Sequence, residues 1–265
     1  MPNLLVKPSG TEGRVISVTP ESAGWTYVGF DLVKLTPGAG HTGGVADREV
    51  CLVLVTGRAR ISVDGQDFGS LGGRVTPFEG LPAAVYAPAG ASWSVVAETP
   101  TELAVCTAPG RPGSRPARVI ADDKLARETR GKGSNTRHVV NILPETEPAD
   151  SLLVVEVVTP AGHASSYPPH KHDRDALPAE SLLEETYYHR LSKPQGFGFQ
   201  RVYTDDGTLD EAMTVTDGSC VLVPKGYHPC SALHGYDLYY LNVMAGPTRI
   251  WRFHNAPEHA WMIGA

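Results

Sequence analysis

No apolar run in this chain approaches the roughly 20 residues that a membrane-spanning helix requires. Cysteine is scarce, with four residues in 265. Cys51, Cys106, Cys220 and Cys230 show no CxxC pairing and sit in apolar, strand-like surroundings. They read as reduced core thiols, which argues against a disulfide framework. Basic charge is in deficit: 23 Lys and Arg stand against 29 Asp and Glu, for a net charge of −6 and a pI near 5.9. Such a balance leaves no electrostatic footprint for nucleic acid or an anionic membrane. The opening MPNLLVKPSG is too short and polar for a secretory signal, so a cytoplasmic location is the expectation.

Turn formers are abundant instead, with 28 Gly and 22 Pro scattered among short apolar runs. Short alternating segments punctuated by these residues predict an all-β protein, a barrel or sandwich and not βαβ units. A first strand is expected from Gly13 to Val18. EVCLVLVTGRARISVDG reads as a hairpin with its tight connection at Gly57-Arg58 and a further turn at Asp64-Gly65. PGRPGSRP, from Pro109, has no apolar content and marks a linker or surface crossing. The expected division is therefore a first barrel over 1–108, a crossing segment over 109–136 and a second barrel over 137–265. A short helix around Ala179–Leu183 is the strongest helical candidate of the second half, and DRDALPAESLLEE is expected to be a solvated loop.

Chemistry concentrates between Ser165 and His228. His170 and His172 lie at i and i+2, so an extended backbone sends both imidazoles to one face. Glu184 and Glu185 follow, and a Pro-Lys-Gly-Tyr-His-Pro turn presents His228. Alone, His-x-His is an ordinary polar edge strand. Joined to a glutamate and a third histidine it makes a nitrogen and oxygen set suited to zinc, iron, manganese or nickel. His254 and His259, near the C-terminus, carry a much weaker signal. Laid side by side, the halves repeat at a spacing of roughly 130 residues, consistent with duplication of one barrel. GAGH, REVCLVLVTG and APAGASW correspond to YPPHKH, LEETYYHRL and VPKGYHP. The first copy keeps His41 and Glu49 but has Ser92 in place of His228. It is expected to bind no metal, with His41 and Glu49 as polar residues at a barrel mouth.

His-x-His, a later Glu and a His after a P-x-G turn resemble the metal-binding signature of the cupin superfamily. SSYPPHKHD, LEETYY, PQGFGFQRVYTDDG, VLVPKGYHP and GYDLYYLNVMAGP look more specifically like the 5-deoxy-glucuronate isomerase family of myo-inositol catabolism. The related 4-deoxy-L-threo-5-hexosulose-uronate ketol-isomerases share its architecture. The strong match runs from about Arg137 to Ala265. This resemblance implies a bicupin of two antiparallel jelly-roll barrels, the second holding one divalent metal, zinc first among the candidates. It places His170, His172 and His228 on the ligand motif, and the E-x-Y-x pattern selects Glu185 over Glu184. It also implies interconversion of 5-deoxy-D-glucuronate and 2-deoxy-5-keto-D-gluconate.

Such an isomerisation removes a proton from the carbon beside a carbonyl, and a bound metal stabilises the resulting enediolate. Strand alternation puts Tyr187 and His189 on the face of Glu185, which makes them the candidates for proton handling. A uronate carboxylate wants an Arg or Lys, and Lys171, Arg174, Arg201 and Lys225 are the candidates there. Two other classes fit the same ligands: an iron-dependent dioxygenase, separated by a requirement for O₂, and a non-catalytic sugar binder, separated by absence of turnover. Unpaired sheet edges favour a homo-oligomer.

Overall fold

The computed structural model describes residues 3–120 and 122–263. Its chain forms two compact units. One comprises Pro8–Ala126 with Ile142–Val154, the other Met1–Lys7, Arg127–Asn141 and Val155–Ala265. Of the four passages between them, those at 126/127, 141/142 and 154/155 fall within the strands Ala126–Arg130, Arg137–Leu143 and Leu153–Thr159, and the one at 7/8 follows Leu5–Val6. The stretch 109–136 is thus not a free linker. It carries the strands Arg118–Ile120 and Ala126–Arg130 and the 3-10 turns Asp122–Lys124 and Gly133–Asn135. Backbone pairing organises this segment even though its side chains are polar, because the ladder hydrogen bonds do not depend on side-chain hydropathy.

In the first unit a six-stranded sheet runs in the order Arg118–Ile120, Ala83–Ala87, Arg48–Thr56, Thr101–Pro109, Gly29–Leu35, Gly13–Val18. A four-stranded sheet holds Gly40–Gly43, Trp93–Ala97, Arg58–Val63 and Gln66–Gly72. Alternate residues of both sheets, among them Val50, Leu52, Leu54, Ile61, Val95 and Leu103, make one buried apolar cluster. Arg48–Thr56 and Arg58–Val63 do not form the expected hairpin, for they belong to different sheets. Gly57 turns the chain from one to the other at φ +88, where a Cβ would lie 2.4 Å from the Pro100 carbonyl oxygen. The hairpin is the next pair, Arg58–Val63 with Gln66–Gly72. Asp64 and Gly65 close it with φ of 48 and 78, the positive values of a type I′ turn that match strand twist.

The second unit repeats the plan. Its larger sheet orders Leu5–Val6, Cys220–Val223, Glu184–Leu191, Leu238–Ala245, Leu153–Thr159, Arg137–Leu143 and Ala126–Arg130. The smaller holds Ala164–Ser165, Cys230–Ala232, Phe197–Tyr203 and Asp210–Thr216. Glu184–Leu191 is buried along nearly its whole length and lies between two antiparallel neighbours, so its inward face is fixed by register. Glu185 stands opposite Met244 and Val223, Tyr187 opposite Asn242 and Val221, and His189 opposite Tyr240.

The segment between the His pair and this strand is neither a loop nor a helix. Asp173–Ala176 and Glu180–Leu182 form a two-stranded hairpin. The buried Glu180 carboxylate ties it together, accepting from the Asp173 backbone N–H at 2.9 Å and from Arg174 Nε at 3.0 Å. The five residues Ala179–Leu183 cannot make a stable helix on their own, whereas the hairpin pairs backbone groups of Glu180–Leu182 with those of Asp173–Ala176.

Candidate metal centre

His170 opens a two-residue strand paired with His254–Asn255, and His172 follows on the same side of the extended chain. His228 comes from the turn after Cys220–Val223. There Gly226 adopts φ +88, and a Cβ would lie 2.3 Å from the Tyr203 carbonyl oxygen, so only glycine fits. The ligating nitrogens of His170, His172 and His228 all lie within 4.8 Å of one another. Ring centroids are 6.2 Å apart for His170 and His172, and 4.9 Å from each of these to His228. Glu185 Oε2 stands 3.1 Å from His172 Nε2 and 3.2 Å from His228 Nε2. Glu184, opposite Ala245, is directed by alternation to the other face of the sheet.

Backbone carbonyls set the tautomers. His172 Nδ1 is 3.0 Å from Leu183 O and His228 Nδ1 is 2.9 Å from Gly226 O. A carbonyl only accepts, so each Nδ1 must donate, and the neutral rings turn a lone pair at Nε2 toward Glu185. His228 Nε2 is buried with no hydrogen-bond partner among the described residues, close to the carboxylate yet out of line for a hydrogen bond. Burial pushes the His228 pKa down to about 4, although Glu185 opposes the shift. Burial and the neighbouring His228 and His172 hold His170 well below its ordinary value. Burial also depresses His172, but its hydrogen bond and charge contact with Glu185 outweigh that and raise it. Lone pairs converging beside a carboxylate require a cation between them, either a proton or a metal ion. The nitrogen and oxygen donor set fits a divalent metal.

Other groups surround this cluster. The Tyr187 ring lies 5.7 Å from that of His228 and 5.0 Å from that of Tyr240, and its hydroxyl is 3.4 Å from Ser166 Oγ. Burial raises the Tyr187 pKa well above its ordinary value, so the hydroxyl keeps its proton. Ser166 holds φ 57, an uncommon conformation for a residue with a side chain. His189 shares the face of Glu185 and Tyr187 but lies one layer further along, hydrogen-bonded through Nε2 to Gln200 Oε1 at 2.8 Å. Gln200 Nε2 in turn faces His228 O at 3.4 Å. Burial takes the His189 pKa down to about 4, and its ring stands by Tyr187 and Tyr240 instead of joining the cluster of three histidines.

A cavity of about 1060 Å³ opens beside His170. Phe253 and Trp251 wall it, the Phe253 ring 4.7 Å from that of His170. Three cations also line it: Arg130 and Arg137, from the strands on either side of the Gly133–Asn135 turn, and Lys132 between them.

Of the cations anticipated for a carboxylate, three are committed to protein acids. Lys171, buried on the side opposite the histidines, pairs with Asp205 and with Asp173 at 3.4 Å. Arg174 pairs with Glu180 at 2.9 Å. Arg201 makes two hydrogen bonds to Asp210, at 2.7 and 2.8 Å, and stacks on Tyr203. Lys225 is exposed. None of the four lines the cavity. Of the residues that do, Arg130 and Lys132 lie in the segment read as a linker or crossing, and Arg137 is the first residue of the second barrel as read. The excess of Arg and Lys in RETRGKGSNTRH was the available signal. Trp251 and Phe253 come from the C-terminal stretch, where only the aromatic pair in IWRFHN pointed to them.

In the first unit Glu49 is fully buried and far from a mouth residue. Its carboxylate accepts from Tyr86 Oη at 2.6 Å and from the backbone N–H groups of Asp150, Ser151 and Leu152 at 2.8, 2.6 and 2.6 Å. His41 is half-buried against Trp93, with ring centroids 5.6 Å apart.

The profile of the KduI/IolB family matches residues 4–262. The chain belongs to the KduI/IolB family. Proteins of this family named 5-deoxy-glucuronate isomerase are similar over nearly full length. The one from Geobacillus kaustophilus is 55% identical over 253 residues, 95% of this chain and 91% of that protein. The one from Halalkalibacterium halodurans is 48% identical over 270 residues, 99% of this chain and all of that protein. An IolB-like protein of Salmonella typhimurium superposes with a TM-score of 0.96 at 51% identity, covering 98% of this chain and 99% of the other. Oxalate decarboxylase of Bacillus subtilis shares the fold alone, with a TM-score of 0.65 at 13% identity over 96% of this chain and 80% of that one. The architecture of this KduI/IolB member is the all-β bicupin.

Proposed function

We propose that the protein is a metal-dependent aldose–ketose isomerase interconverting 5-deoxy-D-glucuronate and 2-deoxy-5-keto-D-gluconate in myo-inositol catabolism, acting in the cytoplasm as a homo-oligomer. The observation that carries this reading is identity of 48–55% with 5-deoxy-glucuronate isomerases along almost the entire chain. The convergence of three imidazoles and a carboxylate beside a large cavity is in keeping with it.

His170, His172, His228 and Glu185 hold one divalent ion, zinc first and manganese, iron or nickel next. When bound, that ion supplies Lewis-acid polarisation of the carbonyl and the adjacent hydroxyl of the sugar. The Leu183 and Gly226 carbonyls keep the two buried rings in the tautomer that binds. Tyr187, protonated at neutral pH, donates from Oη to a substrate oxygen as charge develops there. His189 acts from behind, through Gln200 against the His228 backbone, and positions more than it reacts. Phe253 and Trp251 supply an apolar wall that limits water beside His170.

Metal analysis and isomerase assay under anaerobic conditions test this together. The purified protein is expected to carry one divalent ion per chain and to turn over 5-deoxy-D-glucuronate without O₂. His172→Ala is expected to lose both metal and turnover. Metal present with no uronate turnover would overturn the substrate assignment. A requirement for O₂ would transfer the site to the dioxygenase class.

A further inference from the structure

The cavity beside His170 has a one-sided charge. Arg130, Lys132 and Arg137 contribute to its lining, and among the described residues no Asp or Glu does, in a chain whose net charge is −6. The three cations are not equivalent. Arg130 is already paired, its Nη2 2.6 Å from Glu128 Oε1, and its guanidinium lies 5.4 Å from the centre of the Trp251 ring. Lys132 is exposed and presents a single mobile ammonium.

Arg137 is half-buried, and its guanidinium is held from one edge only. Nη1 donates to both the backbone and the side-chain oxygen of Asn135, each at 3.1 Å. Asn135 is anchored in turn by its Nδ2 donating to Tyr167 O at 3.0 Å. Gly131 permits this arrangement: it takes φ +78, and a Cβ there would lie 2.0 Å from Asn135 O and 2.9 Å from Arg137 Nη1. Nε and Nη2 have no protein partner among the described residues. Glu128, an acid within electrostatic reach of Arg137, is occupied by Arg130 and Asn141. A partly desolvated guanidinium, fixed at one nitrogen and open along its Nε–Nη2 edge, has the geometry that receives a planar carboxylate through two parallel bonds. Arg137 is also close enough to bias His170 and Tyr187 electrostatically.

We propose that Arg137 is the specificity-determining residue for the sugar acid, receiving its carboxylate on the open guanidinium edge while the other end of the sugar reaches the metal centre past His170. The assignment rests on the isomerase reading for the identity of the sugar, but not for the carboxylate site itself. Uronates are thereby preferred over neutral aldoses, because a neutral sugar leaves the guanidinium without its partner.

The test uses titration calorimetry of the metal-loaded protein with D-glucuronate and with D-glucose, followed by turnover of 5-deoxy-D-glucuronate and of 5-deoxy-D-glucose. Charge-assisted bonds of this kind are worth a factor of about 10 to 100 in affinity. Arg137→Gln is expected to weaken D-glucuronate binding and raise the KM for the uronate by about that factor, with metal content and the response to neutral sugars unchanged. Arg137→Lys keeps the charge but loses the fork, and is expected to fall between wild type and Arg137→Gln; it also serves if the glutamine variant folds poorly. Equal losses for charged and neutral sugars, or D-glucuronate affinity unchanged in Arg137→Gln, would overturn the proposal. Wild type that binds D-glucose as tightly as D-glucuronate would do so too. Arg137-dependent D-glucuronate binding without isomerisation by the wild type would uphold the carboxylate site while removing the isomerase reading. Isomerisation indifferent to Arg137 would do the reverse.

Discussion

Glu184 and Glu185 are chemically identical neighbours, and a strand sends their side chains to opposite faces. Only Glu185 stands against His172 and His228, at 3.1 and 3.2 Å. The same alternation separates Tyr187 from Tyr188. The hydroxyl of Tyr187, kept protonated by burial, is suited to donate a hydrogen bond to a developing oxyanion and unsuited to act as a base. Tyr187→Phe is expected to lower kcat by about 10²- to 10³-fold while metal content stays at the wild-type level, which metal analysis beside steady-state kinetics would check. His189 lends itself to a pH test. Its pKa falls from an ordinary 6.5 to about 4 in the folded protein, so the unfolded chain binds the proton more tightly. Its contribution is fully present above pH 6.5 and is lost as pH falls toward 4, to a total on the order of 3 kcal/mol. Denaturant melts of wild type and His189→Phe in chelator, from pH 4 to 7, are expected to show the steeper acid loss in the wild type. Equal slopes would rule out this role for His189.

Buried glutamates near the start of a long strand serve different ends in the two units. In Glu184–Leu191 the acid at the start of the strand meets two imidazoles. In Arg48–Thr56 the core face carries Val50, Leu52 and Leu54, and Glu49, on the other face by alternation, accepts from Tyr86 and from three consecutive backbone N–H groups at 150–152. That carboxylate clamps the strand to the segment Ile142–Val154 of its own unit. Removing it leaves buried donors without an acceptor, each costing about 1–3 kcal/mol. Glu49→Ala is therefore expected to destabilise by about 3 kcal/mol or more, and Glu49→Gln by less because one amide oxygen still accepts. Urea unfolding followed through a probe in the first unit would measure this, with metal content unchanged in any folded fraction. At the same scale, the hairpin of Asp173–Ala176 and Glu180–Leu182 shows a polar insert ordered by a single buried acid, Glu180.

For the whole molecule, the excess of acidic groups and the cationic cavity act in opposition on an anionic substrate. Long-range repulsion and local attraction are both screened by salt, but the local field inside a concave, low-dielectric site dominates encounter. kcat/KM for the uronate is accordingly expected to fall several-fold as ionic strength rises from about 0.01 to about 0.5 M. Turnover of a neutral aldose should stay flat over the same range. A rise with salt would show that the net charge of −6 outweighs the cavity. Among the described residues no helix is long and apolar enough to cross a membrane, and four-fifths of oxalate decarboxylase superposes on this chain despite 13% identity. Hydrophobic alternation and turn placement thus preserve a bicupin over sequences that share almost no residues.

By itself the sequence determined the period-2 alternation, the glycine-dependent turns and the spacing of His170, His172 and His228. These are local properties, set by backbone sterics and by which neighbours share a face, and they sufficed for an all-β duplicated barrel and its candidate ligands. The tertiary structure decided the partners. Lys171, Arg174 and Arg201 are as basic as Arg137 in the sequence, but Asp205, Glu180 and Asp210 engage them, leaving Arg137 with the open edge. Glu49 reads as a polar residue at a barrel mouth until the amides of residues 150–152, a hundred positions away, arrive to bind its buried carboxylate. Gly57 looks like a hairpin turn until its strands are seen in separate sheets. Each of these outcomes depends on contacts between distant segments, and a residue's own identity carries no record of which distant group will desolvate or pair with it.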